Sequence, residues 1–201
     1  MSEARLLLHA CCAPCSLEPV RHLRLEGLDP TICWTNPNIQ PESERIRRLD
    51  ELRRWCAAED IELIEASDNL DAWERGVAPL GATDRVRRCR ACYGLRLSEL
   101  CSVAEARGFT HVATTLAVSP YQLFEVSNEL LERLACAHGL TPVIRDWRPW
   151  YGEATARSRA LGMYRQRYCG CRFSAAEAAL DRARIRDERR NNHRVRSVFA
   201  L

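Results

Sequence analysis

Residues 5–16 read Arg5-Leu6-Leu7-Leu8-His9-Ala10-Cys11-Cys12-Ala13-Pro14-Cys15-Ser16. A short apolar run ends abruptly in three cysteines. A short apolar run of this kind fits a strand. Adjacent residues of an extended segment point in opposite directions, so a turn is needed to bring Cys11 and Cys12 to one point. Pro14 suits that turn. A helix starting near Ser16 would direct its free amide groups at the sulfurs and favour thiolates.

Outward from this stretch, short apolar strands alternate with amphipathic helices. Strands are predicted at Arg5–His9, Thr31–Thr35, Glu62–Ala66, His111–Leu116 and Thr141–Arg145. Ile46, Leu49, Leu52 and Cys56 recur at helical spacing, as do Leu97, Leu100, Cys101 and Ala104, and then Leu123, Val126, Leu130 and Leu134. Gly108 and Gly139 each stand where a left-handed residue closes a helix. The alternation predicts an α/β fold: a mainly parallel sheet flanked by helices, a three-layer sandwich of the HUP or PP-loop kind. Residues 1–174 would form the catalytic domain, and 175–201 an Arg-rich helical tail. Ligands of such sheets bind beyond the carboxyl ends of the strands. That rule gathers His9–Ser16, Trp34–Ile39 and Thr114–Gln122 at one edge.

The composition is that of a globular chain: 201 residues, 46% hydrophobic and 28% charged. No apolar run approaches the roughly 20 residues that span a bilayer, and the N-terminal apolar run is too short for a signal peptide. A cytoplasmic location without membrane attachment is expected. The net charge is +3, and all 30 basic residues are arginine. Arginine suits phosphate and stacked bases better than lysine. The tail carries Arg182, Arg184, Arg186, Arg189, Arg190, Arg194 and Arg196.

Eleven cysteines in a helix-rich chain without an export signal point to metal binding or thiol redox chemistry rather than a disulfide scaffold. Beyond the first motif, Arg88-Cys89-Arg90-Ala91-Cys92-Tyr93 puts a C-x-x-C pair near a helix start, a geometry that zinc sites, clusters and dithiol couples share. Its arginines, Arg87, Arg88 and Arg90, would lower the thiol pKa values. Cys169-Gly170-Cys171 could ligate one metal or form a strained, easily reduced disulfide; redox cycling is the preferred reading. Cys33, Cys56, Cys101 and Cys136 read as core residues. His9 reads either as a support for the metal ligands or as a structural residue. Four thiolates, from Cys11, Cys12, Cys89 and Cys92, would satisfy one cubane cluster, with Cys15 close by.

With these motifs assembled, the chain resembles the cobalamin-independent epoxyqueuosine reductases from about Leu6 to Ser174. The resemblance rests on His9–Ser16, on Thr35-Asn36-Pro37-Asn38-Ile39-Gln40-Pro41-Glu42, and on Arg88–Tyr93 with Leu95-Arg96-Leu97. It continues through Thr114-Thr115-Leu116, Ser119-Pro120-Tyr121-Gln122 and Tyr164-Arg165-Gln166-Arg167-Tyr168-Cys169-Gly170-Cys171. It implies reduction of epoxyqueuosine to queuosine at the wobble position of transfer RNA, the last step of queuosine synthesis. It also implies a 4Fe–4S cluster on Cys11, Cys12, Cys89 and Cys92, a redox role for Cys169 and Cys171, and room for one additional iron near Cys15. No cobalamin is implied. The electron donor is not identified by the sequence.

Removing an epoxide oxygen as water takes two electrons and two protons. Asp146 is the candidate acid or iron ligand, with an ion pair to Arg145 or Arg148 as the alternative. A modified base must leave its stack to be reached. Trp34, Tyr93, Tyr121 and Tyr168 are candidate stacking residues. Asn36, Asn38 and Gln122 are candidate hydrogen-bonding groups, although Asn36-Pro37-Asn38 also reads as a simple turn. The arginines at 85, 87, 88 and 90 and in the tail are candidate phosphate contacts. Two rivals remain. A zinc-holding RNA-binding module without catalysis would be colourless. A PP-loop sulfur-transfer enzyme needs a Gly-rich phosphate loop after its first strand, and Ala10–Ser16 contains no glycine.

Overall fold

The computed structural model describes residues 4–198, with side-chain surroundings through 188. The tail arginines Arg189, Arg190, Arg194 and Arg196 therefore lie outside the residues whose side chains are described. Five parallel strands form one sheet: β1 (Leu6–His9), β2 (Pro30–Trp34), β3 (Leu63–Glu65), β4 (His111–Thr114) and β5 (Thr141–Pro142). Their order is β3-β2-β1-β4-β5, so β1 lies at the centre, with the reversal of winding beside it. Among the described residues the seven α-helices are α1 (Ala13–Leu25), α2 (Glu42–Ala58), α3 (Leu70–Gly76), α4 (Arg85–Ala106), α5 (Phe124–Ala137), α6 (Tyr151–Ala160) and α7 (Arg172–Val198).

The apolar run of β1 is explained by its position. Leu6 and Leu8 face one layer with Leu17, Leu23, Leu49 and Leu52 of α1 and α2. Leu7 faces the other, with Leu97, Leu100, Leu130 and Leu131 of α4 and α5. Each leucine so buried contributes about 1.5–3 kcal/mol. The alternation of strands and helices thus produces the expected sandwich. Gly108 and Gly139 take the predicted left-handed conformation, with φ of 69° and 65°.

Several expectations need correction. The first helix begins at Ala13 rather than near Ser16, because Cys12 is its extended N-cap residue and Pro14 fits the first turn. β4 stops at Thr114, whose hydroxyl accepts the Leu116 amide and closes a 3-10 turn. β5 is only two residues long: it is an edge strand, and Pro142 has no N–H to donate. Cys136 is exposed rather than in the core, since α5 buries Leu130, Leu131 and Ala135 instead. Ile46 is likewise exposed, the buried face of α2 starting at Arg48 and Leu49.

Candidate active site

The carboxyl end of β1 leads directly into the thiols. Cys11 is tied back to the 3-10 turn after β4 by its amide, which donates to Thr115 Oγ1 at 3.2 Å. Cys12 is the last extended residue before α1, and Cys15 is on the helix's first turn. That change of backbone at Cys12 is the turn that lets adjacent cysteines converge. The sulfurs of Cys11, Cys12 and Cys15 all lie within 4.8 Å of one another. Hydrogen bonds from the Cys12 and Cys15 thiols hold the Cys11 thiol well below its ordinary range, while Cys12 and Cys15 are pushed up. Cys11 is therefore the sulfur of the triad that ionises most readily. A cation is what would let all three ionise.

Cys89 and Cys92 lie on the first two turns of α4, whose N-cap Asp84 accepts the Arg87 amide at 2.9 Å. Cys92 packs with Trp73, Val77 and Cys171. Burial raises both thiols, to about 11 for Cys89 and about 12 for Cys92, and the nearby Cys169 acts in the same direction. The flanking arginines do not reverse this, contrary to expectation. Arg88 is drawn to Glu177 and the Gly81 carbonyl, and Arg90 to Glu129.

The Cys169–Cys171 loop is anchored from beneath by Arg48, whose side chain is fully buried. Its guanidinium donates to Cys169 O at 2.7 Å, Tyr168 O at 3.2 Å and Glu44 Oε1 at 2.7 Å. The Gln40 amide donates to Gly170 O at 2.9 Å, and Tyr168 Oη donates to Gln40 O at 2.5 Å. Gly170 permits this contact, because a Cβ there would sit 2.6 Å from Asn38 Nδ2. Two glutamines aim N–H groups at sulfur: Gln122 Nε2 at Cys169 Sγ, 3.4 Å, and Gln166 Nε2 at Cys12 Sγ, 2.7 Å. Tyr93 fixes Gln122 by donating to its Oε1 at 2.5 Å. Cys169 and Cys171 are both free thiols.

A cavity of about 540 Å³ opens above these groups. Cys11, Cys15, Tyr121, Gln122, Tyr151 and Cys169 are among its lining residues, and Arg165, Arg182 and Arg184 stand on its walls. The ring of Tyr121, which is exposed, meets that of Tyr151 edge-on at 6.4 Å.

Several sequence candidates sit elsewhere. Trp34 is a core residue whose indole donates to Asp68 at 2.7 Å, so it does not stack on a ligand. Tyr93 is buried beneath Gln122. Asn36 is buried, with its amide donating to Ala10 O and accepting from Arg96. Asn38 is buried beneath the Cys169–Cys171 loop. Asp146 does not line the cavity; both of its oxygens accept from Arg148, at 2.8 and 2.7 Å. His9 is buried and neutral, its pKa lowered to about 3 by desolvation and by Arg96. Its Nε2 faces the Thr35 carbonyl and its Nδ1 the Thr114 hydroxyl, so both ring nitrogens have partners within the protein. Arg48, Tyr151 and the role of Gln166 were missed, because each acts through contacts distant in sequence.

The donor set is all sulfur, with its histidine occupied and no carboxylate in the triad. Soft thiolates select iron–sulfur clusters, zinc or copper(I), so the residues present fit a cluster. Fold and site together define an α/β protein with a cysteine triad able to hold a metal at the carboxyl edge of its parallel sheet. Residues 6–177 match the family described as Epoxyqueuosine reductase QueH, and the chain belongs to that family of oxidoreductases. It is 32% identical over 174 residues to the epoxyqueuosine reductase QueH of Dehalococcoides mccartyi, covering 86% of this chain and 93% of that one. With the Thermotoga maritima protein of the same name it shares 29% identity over 192 residues, 92% of this chain and 97% of the other. A predicted subunit of a tRNA methyltransferase from Methanocaldococcus jannaschii shares the fold alone, at a TM-score of 0.57 and 8% identity, over 78% of this chain and 75% of that one. Among the described residues no helix is long and apolar enough to cross a membrane.

Proposed function

We propose that this enzyme reduces epoxyqueuosine to queuosine at the wobble position of transfer RNA, holding a 4Fe–4S cluster on Cys11, Cys12, Cys89 and Cys92 with space for a further iron at Cys15. The observation that carries the reading is the cavity: its lining includes thiols from two separate motifs, Cys11 with Cys15 and Cys169, and an exposed tyrosine, Tyr121. When bound, the cluster supplies electrons one at a time, and an iron at Cys15 supplies a Lewis acid.

The chain's own residues then have distinct tasks. Tyr121 and Tyr151 flank the extruded base at the mouth of the cavity. Arg85, Arg165 and Arg182 face the phosphates of a strand entering there. Gln122 orients the Cys169 sulfur toward the cavity. Opening the epoxide breaks both C–O bonds, forms the C=C bond and releases the oxygen as water, consuming two electrons and two protons. Oxidation of the Cys169–Cys171 dithiol to its disulfide releases the same two electrons and two protons. An electron donor must then restore the dithiol.

The test is an anaerobic reduction of epoxyqueuosine-containing transfer RNA, read by nucleoside mass spectrometry. Conversion to queuosine is expected. Iron-replete protein that leaves the epoxide intact with a strong reductant would overturn the proposal, and a colourless protein holding one zinc would favour the non-catalytic RNA-binding reading.

A further inference from the structure

Among the described residues three arginines are buried to 1% exposure: Arg48, Arg88 and Arg96. Two have a carboxylate partner, Glu44 for Arg48 and Glu177 for Arg88. Arg96 has none among the described residues. Its Nη2 donates to the neutral Asn36 Oδ1 at 2.6 Å, and its Nε and Nη1 have no hydrogen-bond partner. A buried cation left without a counter-charge costs several kcal/mol, so a stable fold needs an anion here. The groups that face Arg96 electrostatically are Cys92, Cys169, Cys11 and Tyr93. His9, also facing it, is neutral. The cysteines come one from each of the three motifs. Arg96 follows Cys92 by one helical turn, which sets the two side chains on the same face of α4.

We propose that Arg96 is the permanent counter-cation of the thiolate centre, a positioning residue whose fixed charge balances the sulfur ligands and raises the reduction potential of the group they hold. The inference rests on the cluster reading above. Asn36 orients the guanidinium by accepting from Nη2 while its own amide is held by the Ala10 carbonyl. Adding an electron to an anionic cluster is easier beside a fixed positive charge in a dry site.

The experiment is a spectroscopically monitored redox titration of the anaerobically purified, iron-replete protein, its Arg96→Gln variant and its Arg96→Lys variant. Arg96→Gln keeps a donor for Asn36 and removes the charge; Arg96→Lys keeps the charge. Arg96→Gln is expected to lower the reduced-to-oxidised ratio at least tenfold at fixed potential, about 59 mV for a one-electron couple, with Arg96→Lys within threefold of wild type. Loss of iron from Arg96→Gln but not from Arg96→Lys supports the same role. An unshifted Arg96→Gln, or equal shifts or equal iron loss in both variants, overturns it. Wild-type protein that binds no iron would instead remove the cluster reading itself.

Discussion

Replacing Arg48 with methionine tests whether the Cys169–Cys171 loop depends on its buried anchor. Methionine fills similar volume and removes three charge-assisted hydrogen bonds, to Glu44 and to the carbonyls of Cys169 and Tyr168. Glu44, whose side chain is only 12% exposed, keeps the Tyr164 hydroxyl at 2.7 Å but no cation. Breaking a buried pair by removing one partner costs about 3–5 kcal/mol. The two carbonyls remain without their donor, which places the loss toward the upper end. Against a total stability of about 5–15 kcal/mol this is a severe loss. Urea unfolding under anaerobic conditions, followed by tryptophan fluorescence, should show a midpoint lower by roughly 2 M, taking a slope of about 2 kcal/mol per M. Arg48→Lys should recover part of the Glu44 pair and leave one carbonyl unserved. A loss below about 1 kcal/mol for Arg48→Met would refute the assignment of Arg48 as the anchor.

Gly170→Ala places a methyl 2.6 Å from Asn38 Nδ2. A loss of about 1–3 kcal/mol, typical of overpacking, and a large fall in turnover are expected in thermal melts and the reduction assay; wild-type turnover would contradict the loop's tight seating. Cys169→Ser should keep the iron colour and lose turnover, whereas loss of colour would make Cys169 a ligand. His9 gives a pH signature: its folded pKa, about 3, lies below the unfolded value near 6.5. Its contribution is complete above about pH 6.5 and lost as the pH falls toward 3. Unfolding free energy should therefore decline across that window less steeply in His9→Gln than in wild type.

The fold was legible because its core strands are contiguous apolar runs. Leu6, Leu7 and Leu8 announce a strand, and the apolar residues at helical spacing in the segments between the strands announce the covering helices. The thiols were legible as motifs, since no packing rule places Cys11 beside Cys12. What separates the motifs into roles was not legible. The seating of Cys169 depends on Arg48, 121 residues earlier, and the electrostatics of Cys92 depend on an arginine whose missing carboxylate is visible only in three dimensions. Trp34 illustrates the same limit: an indole after a strand suits stacking equally well until Asp68 takes its N–H. The arginines beside Cys89 were misread because Glu129 and Glu177, far along the chain, claim them.

The triad at the head of α1 also has a consequence for how the protein is handled and assembled. Its Cys11 and Cys12 sulfurs are 3.9 Å apart, and neighbouring thiols hold the Cys11 thiol well below its ordinary range. Thiolate attack is what begins disulfide formation and exchange. The closeness that would let these sulfurs share a metal therefore also suits them to disulfide formation by an oxidant. On the cluster reading proposed above, a metal and an oxidant would compete for the Cys11 sulfur, so excluding oxygen until the metal is bound would protect the site.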